Sequence, residues 1–262
     1  MNRVAFFMLD GVRPDALTAA HVPHVAALLA RGSATMQATA VMPCITLPNH
    51  TTIFHSVPPA RHGVTSNEWQ PMARPVPGLF EVVCAAGKRT AFLYNWGHLR
   101  DLARPGSLDA AFFRSSQHDP DGDDITAAAA RDILQRDRPD FIFIYFGTVD
   151  AVGHDHGWMS PEYLAQLERV DAALGSVVAG LPDDFAVLVQ ADHGGHDRDH
   201  GLPIPEDLTV PWLVAGPGVR RGHTIQAAVS HLDTAPTIAR LLGLAPAPEW
   251  EGHAVEEIFE AA

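Results

Sequence analysis

The sequence predicts an α/β protein, a doubly wound, mostly parallel central sheet with helices on both faces. Three observations lead there. Residues 4–9, 141–146 and 185–189 are short, unbroken apolar runs, the pattern of strands buried on both faces. Apolar residues at helical spacing lie between such runs, most clearly Leu164, Leu167, Val170, Ala173, Leu174 and Val177. Each run is followed at once or shortly by an aspartate, namely Asp10, Asp150 and Asp192. In open α/β sheets ligands bind outside the carboxyl ends of strands, so three carboxylates distant in sequence are expected at one edge.

The elements follow in order. The first strand ends at Asp10, with Gly11 opening the turn. A helix is predicted over 22–30, closed by Arg31-Gly32, and a strand over 34–42. A second helix is expected from Thr46 to about Ser56, with Thr46 as its cap and Pro48 in its first turn. Residues 57–78 are rich in Pro, Gly and His and read as irregular. A helix over 79–86 and a strand over 90–94 resume the alternation. Residues 96–122 are the least regular stretch, the place for a small lid or insertion within one domain covering 1–262. A helix over 124–135 leads to the Phe141 strand, and the 161–179 helix leads to the Phe185 strand. A strand over 209–215 and a final helix over 234–242, stopped by Gly243, complete the chain. With βα units repeated and no internal repeat, the doubly wound sheet is the economical arrangement.

Composition narrows the function classes. With 18 Lys and Arg against 31 Asp and Glu, the formal net charge is −13, which argues against a nucleic-acid polymer as partner. A small anionic, phosphorylated substrate stays compatible, because bound divalent cations reverse the local sign. Two cysteines, Cys44 and Cys84, are too few for a disulfide framework. Six apolar residues near the start are too short for a signal peptide or a membrane span, so the expectation is a cytoplasmic protein with no membrane partner.

The chemistry concentrates at the strand ends. Asp150 and His154 stand four apart after a buried run, a spacing that lets both face one point. Asp192-His193-Gly194-Gly195 places a carboxylate beside an imidazole, with glycines that allow close approach to a ligand. His200 follows in the same loop. Taken singly, such residues are commonly solvated turns. Together, three Asp and three His suit Zn²⁺ or Mn²⁺ and are too many for one tetrahedral ion. They suffice for two ions, which phosphoryl-transfer sites hold about 3.5–4 Å apart. Thr46, at a helix start where an anion is favoured, is either a simple cap or, if metal-coordinated, a nucleophile. Cys44 has no evident base and reads as a small core residue. Trp69, Trp96 and His98 are candidates for the substrate pocket, with core packing an equal reading for the tryptophans.

The ordered motifs resemble the alkaline phosphatase superfamily, in its type I phosphodiesterase/nucleotide pyrophosphatase-like branch. They are Leu9-Asp10-Gly11, Thr46-Leu-Pro-Asn-His50, Pro59-Ala-Arg-His62-Gly63 with Asn67, Asp150-Ala-Val-Gly-His154, Ala191-Asp192-His193-Gly194, His200-Gly201, residues 211–218 and Asp233-Thr-Ala-Pro-Thr237. The resemblance implies an alkaline phosphatase-like fold and two divalent ions, Zn²⁺ first, with Mn²⁺ or Fe tolerated. It implies that Asp10, Thr46, Asp192 and His193 hold one ion and Asp150, His154 and His200 the other. Thr46 would attack phosphorus to give a phosphothreonine intermediate, hydrolysed by water from the second ion. Asn67 and the Leu47 N–H would stabilise the equatorial oxygens. The sulfatase pattern Cys-x-Pro-x-Arg is broken here, with Thr at 46 and His at 50, so the sulfatase aldehyde cannot form.

The expected activity is therefore metal-dependent hydrolysis of a phosphodiester or pyrophosphate bond in a small substrate. Phosphomonoesterase, phosphonate hydrolase and phosphomutase activities would share the same ligands. A non-catalytic metal-dependent binding domain is the reading from another class, and the full set of suitable side chains weighs against it.

Overall fold

The computed structural model describes residues 3–260. Eight strands form one sheet in the order β4-β3-β5-β1-β6-β7-β2-β8. They are β1 (Arg3–Leu9), β2 (Gly32–Thr39), β3 (Thr90–Tyr94), β4 (Ala110–Phe113), β5 (Phe141–Phe146), β6 (Phe185–Gln190), β7 (Thr209–Ala215) and β8 (His223–Thr224). The stretch from β4 to β6 is parallel throughout, whereas β7 runs antiparallel to both β6 and β2. The fold is a mostly parallel α/β sheet, as the sequence predicts.

Among the described residues ten α-helices surround it: α1 (Ala16–Ala19), α2 (Pro23–Arg31), α3 (Thr46–His55), α4 (Pro59–His62), α5 (Leu79–Ala85), α6 (Gly122–Arg136), α7 (Thr148–His156), α8 (Pro161–Val178), α9 (Pro205–Leu208) and α10 (Thr234–Leu241). One layer is α2, α6, α7 and α8, joined through α8. The other is α3, α5 and α10. This double cover explains why β5 and β6 are apolar without alternation, since every residue in them is buried. Phe6, Phe54, Phe80, Phe92, Phe141 and Phe143 form a continuous aromatic cluster between the sheet and the second layer.

Most predicted boundaries fall within one or two residues of those observed. The differences have physical causes. Residues 96–122 hold a 3-10 helix (Gly97–Leu102) and the edge strand β4, paired parallel with β3. A four-residue edge strand covered on one side carries too little apolar signal to read. The turn expected to join Asp150 to His154 is the nine-residue helix α7, masked in sequence by glycines at 147, 153 and 157. Among the described residues no helix is long and apolar enough to cross a membrane.

Candidate active site

The three strands whose ends carry aspartates are neighbours, β5-β1-β6, so their carboxyl ends converge. Asp10 follows β1 directly, Asp192 follows β6, and Asp150 lies in the first turn of α7 beyond β5. Gly11 permits the close approach, since a Cβ there would lie 3.1 Å from the Asp150 side chain. Its N–H donates to Asp192 Oδ1 at 3.3 Å, fixing that carboxylate.

Two groups of metal-competent side chains result. In Asp10, Asp192 and His193 the ligand atoms all lie within 4.8 Å of one another, as they do in Asp150, His154 and His200. The first group is fully buried. The second is open, with the His154 side chain 39% exposed and Asp150 18% exposed. The His193 and His200 rings stack with centroids 3.8 Å apart, so the groups adjoin.

Thr46 is the first residue of α3, not its cap. Ile45 holds the cap position, and no side chain caps the helix. The Thr46 hydroxyl is thereby spared from capping and lies 3.2 Å from His193 Nε2. Cys44 is buried, its thiol donates to the Asp207 carbonyl, and burial with the charges of Asp192 and Asp207 pushes its ionisation far up. A thiol held neutral is no nucleophile.

The charges at the site are unbalanced as they stand. Burial, reinforced by Asp192 and Asp150, holds the Asp10 carboxyl well above the ordinary range. Burial pushes Asp192 up to about 8. Burial also raises Asp150, against the pull of His200 and His154. Burial drives His193 well below the usual imidazole value, which keeps it neutral.

These residues fit metal ions on their hydrogen bonding. Each histidine spends Nδ1 on a carbonyl: His193 on Gly194 at 2.8 Å, His154 on Arg198 at 3.0 Å and His200 on Cys44 at 3.0 Å. A carbonyl only accepts, so Nδ1 carries the proton and Nε2 keeps a lone pair. His193 Nε2 faces Asp10 Oδ1 at 3.2 Å, acceptor against acceptor once that carboxyl is ionised. Asp10 Oδ1, Asp150 Oδ1 and Asp192 Oδ2 are buried without hydrogen-bond partners. Buried anionic oxygens and imidazole lone pairs turned on one point call for cations.

The cavity over this centre is about 180 Å³ and includes Thr46, Asn67, Trp96, Gln117, His118 and His154 in its wall. Larger hollows, such as one of about 530 Å³ around Phe185 and Val219, lie away from these ligands at the other end of the strands. Asn67 reaches the site as expected, but its Oδ1 accepts the Leu47 N–H at 2.9 Å, so that amide already has a partner within the protein. Of the pocket candidates, Trp96 lines the cavity and His98 packs against Trp96, with tilted rings whose centroids are 4.7 Å apart. Trp69 lines a separate small pocket with His55 and Met72.

Four residues to which the sequence reading gave no role in the site support it. Tyr145 donates its hydroxyl to Asp10 Oδ2 from within β5, where it reads simply as one more apolar strand residue. His50 donates Nδ1–H to the Thr46 carbonyl at 2.8 Å, and burial pushes it down to about 4. Asp123 on α6 accepts the Gly147 and Thr148 N–H groups at 3.1 and 3.2 Å, serving as a remote cap for α7. Trp158 lies among the loops beneath the ligands. An aspartate at one helix start that serves another helix leaves no local sequence signal.

A family model, type I phosphodiesterase/nucleotide pyrophosphatase, matches residues 4–80 and 80–212, the segments that carry every ligand named above. The chain belongs to the type I phosphodiesterase/nucleotide pyrophosphatase family. That family belongs to the alkaline phosphatase superfamily. An uncharacterised pyrophosphatase/phosphodiesterase of Schizosaccharomyces pombe is 26% identical over 81% of this chain and 47% of its own length. Steryl-sulfatase of Rattus norvegicus is 30% identical over 67% of this chain and 36% of its own. The chain thus spans less than half of these curated relatives. Among solved structures, an inactive murine ectonucleotide pyrophosphatase/phosphodiesterase 5 in complex with AMP superposes with a TM-score of 0.79 at 16% identity, covering 99% of this chain and 100% of that one. The phosphonate monoester hydrolase of Agrobacterium radiobacter superposes with a TM-score of 0.80 at 16% identity, covering 99% and 77%. These two likenesses establish a shared fold.

Proposed function

We propose that this member of the type I phosphodiesterase/nucleotide pyrophosphatase family hydrolyses a phosphodiester or pyrophosphate bond in a small substrate, with Thr46 as nucleophile. The observation that carries the reading is the Thr46 hydroxyl, not used as a helix cap and bonded to His193 Nε2, at the junction of two ligand groups that hold carboxylate oxygens without partners. Asp10, Asp192, His193 and Thr46 would hold one divalent ion, and Asp150, His154 and His200 the other. The Asp/His chemistry favours Zn²⁺, with Mn²⁺ or Fe compatible. When bound, such ions neutralise phosphoryl charge and lower the pKa of coordinated oxygen.

The protein's own residues do the rest. The α3 backbone fixes Thr46 at a helix N-terminus, where developing negative charge is favoured. Neutral His193, with Nδ1–H held by the Gly194 carbonyl, keeps its lone pair towards the site. Asn67 stands where its amide can bind a phosphoryl oxygen, and the Leu47 N–H can join it only when the Asn67 carbonyl turns away. Trp96, Gln117 and His118 bound the side open to a substrate's substituent.

Diester preference follows from charge. Among the described residues lining the cavity there is no Lys or Arg. A phosphodiester or phosphonate monoester carries one negative charge there, which two ions can neutralise, whereas a phosphomonoester dianion lacks a further protein cation. Sulfatase chemistry is disfavoured by Thr46 itself, despite the likeness to steryl-sulfatase. A phosphonate monoester hydrolase is the second reading, since its substrate has the same charge.

The test is a rate panel on the zinc-loaded chain with aryl phosphodiester, phosphomonoester, phosphonate monoester and sulfate ester substrates, alongside metal analysis. Two ions per chain and a diester rate at least about tenfold above the monoester rate are expected. A faster monoester or sulfate ester, or one ion per chain, would overturn the reading.

A further inference from the structure

We propose that Trp158 is the positioning residue that sets the Asp150–His154–His200 group in register, so that ion affinity at that group depends on the indole. The inference rests on the two-ion reading above. Trp158 follows α7 by two residues and is 7% exposed. Its Nε1–H donates to the Gly11 carbonyl at 2.8 Å, one residue beyond Asp10. Its ring lies against Gly153, within α7, where a Cβ would stand 2.9 Å from three ring atoms. The ring also lies against Gly195, two residues beyond His193, where a Cβ would stand 2.2 Å from a ring carbon. Its backbone N–H donates to the Asp197 carbonyl at 2.7 Å. His154 and His200 meet the indole edge-on, with centroids at 5.1 and 5.8 Å.

One side chain therefore touches three of the segments that bear ligands: the end of β1, α7 and the loop after β6. The need for it is unequal between the groups. Asp10 and Asp192 leave paired central strands, and the sheet fixes their spacing. Asp150 and His154 ride on α7, while His200 comes from the loop after β6, and no strand pairing joins helix to loop. The indole fills that gap. Glycine in a helix interior and glycine beside His193 are costly in backbone entropy, and both vacate space for this ring. A tryptophan that merely filled the core would need neither slot nor the hydrogen bond to Gly11.

The test measures Zn²⁺ binding to the full chain by competition with a chromophoric chelator, for wild type, W158A, W158F, G153A and the W158A/G153A double variant. W158A is expected to weaken one zinc equivalent about 10- to 100-fold and leave the other unchanged. W158F, which keeps a ring in the slots, should restore most of that loss. G153A should weaken the same equivalent in the wild-type background and add nothing in W158A, because the added methyl acts only by displacing the indole. Unchanged affinities in W158A, or equal loss at both equivalents, would overturn the proposal. Should W158A fail to fold, G153A decides alone, and an unchanged weaker equivalent there is equally fatal. H154A separates the levels of failure. If H154A binds both zinc ions as tightly as wild type does, the two-ion reading falls. If H154A weakens one equivalent while W158A and G153A bind as wild type does, only the role of Trp158 falls.

Discussion

The two halves of the centre are built differently. Asp10, Asp192 and His193 are 1%, 0% and 0% exposed and project from adjacent central strands. Asp150, His154 and His200 come from a short helix and a loop, with His154 39% exposed on its side chain. The sheet supplies the geometry of the first half, as a fixed edge of hydrogen-bonded strands. The second half has no such frame and depends on side chains that fasten α7, namely Asp123 at its start and Trp158 beyond its end. The nucleophile half is therefore expected to be rigid and the second half adjustable.

The largest expected effect breaks the comparison on its rigid side. Asp192→Ala should remove the buried ion site and cost turnover about 1,000-fold or more, since several kcal/mol of charge stabilisation go with it. His154→Ala should cost less, about 10- to 100-fold, and be partly restored by excess zinc. Equal, unrescuable losses in the two variants, measured as kcat/KM across zinc concentrations, would erase the distinction. Chelation gives the next effect. Timed metal analysis during dialysis against a chelator should show one equivalent leaving well before the other, and His154→Ala should abolish the fast phase.

A pH effect sharpens the account of α7. Burial pushes the Asp123 carboxyl up to about 6, from an ordinary value of 3.8. A raised carboxyl contributes stability below its unfolded value and loses it as pH rises through the folded value. Relative to Asp123→Asn, wild type should therefore lose about 2 kcal/mol of stability between pH 4 and pH 6.5. Urea unfolding of both proteins at these two pH values measures it, and a pH-independent difference would contradict the cause assigned. The smallest effect is at Cys44. Cys44→Ala should leave kcat within about twofold, because the neutral thiol only donates to the Asp207 carbonyl.

What the sequence made legible divides along the same line as the halves. Asp10 and Asp192 were readable because a strand buried on both faces announces its end, and β1, β5 and β6 proved to be neighbours. The helix α7 was not, because its glycines at 147, 153 and 157 serve packing rather than helix propensity. Gly153 makes sense only once Trp158 stands against it. Asp123 bonds the start of α7 and Tyr145 bonds Asp10, partners 24 and 135 residues away, so no local pattern marks them. Thr46 reads in sequence as a cap or, if metal-coordinated, a nucleophile, and only the backbone shows Ile45 in the cap position. Sequence discloses what repeats along an element, whereas contacts between elements appear only in the folded chain.

The central claim is that Thr46 is the nucleophile between the two halves. The most direct measurement is turnover of an aryl phosphodiester by Thr46→Ala, in protein whose zinc content and circular dichroism match wild type. A fall of about 1,000-fold or more is predicted, as for loss of other covalent nucleophiles. A rate near that of wild type, with the metal retained, would contradict it.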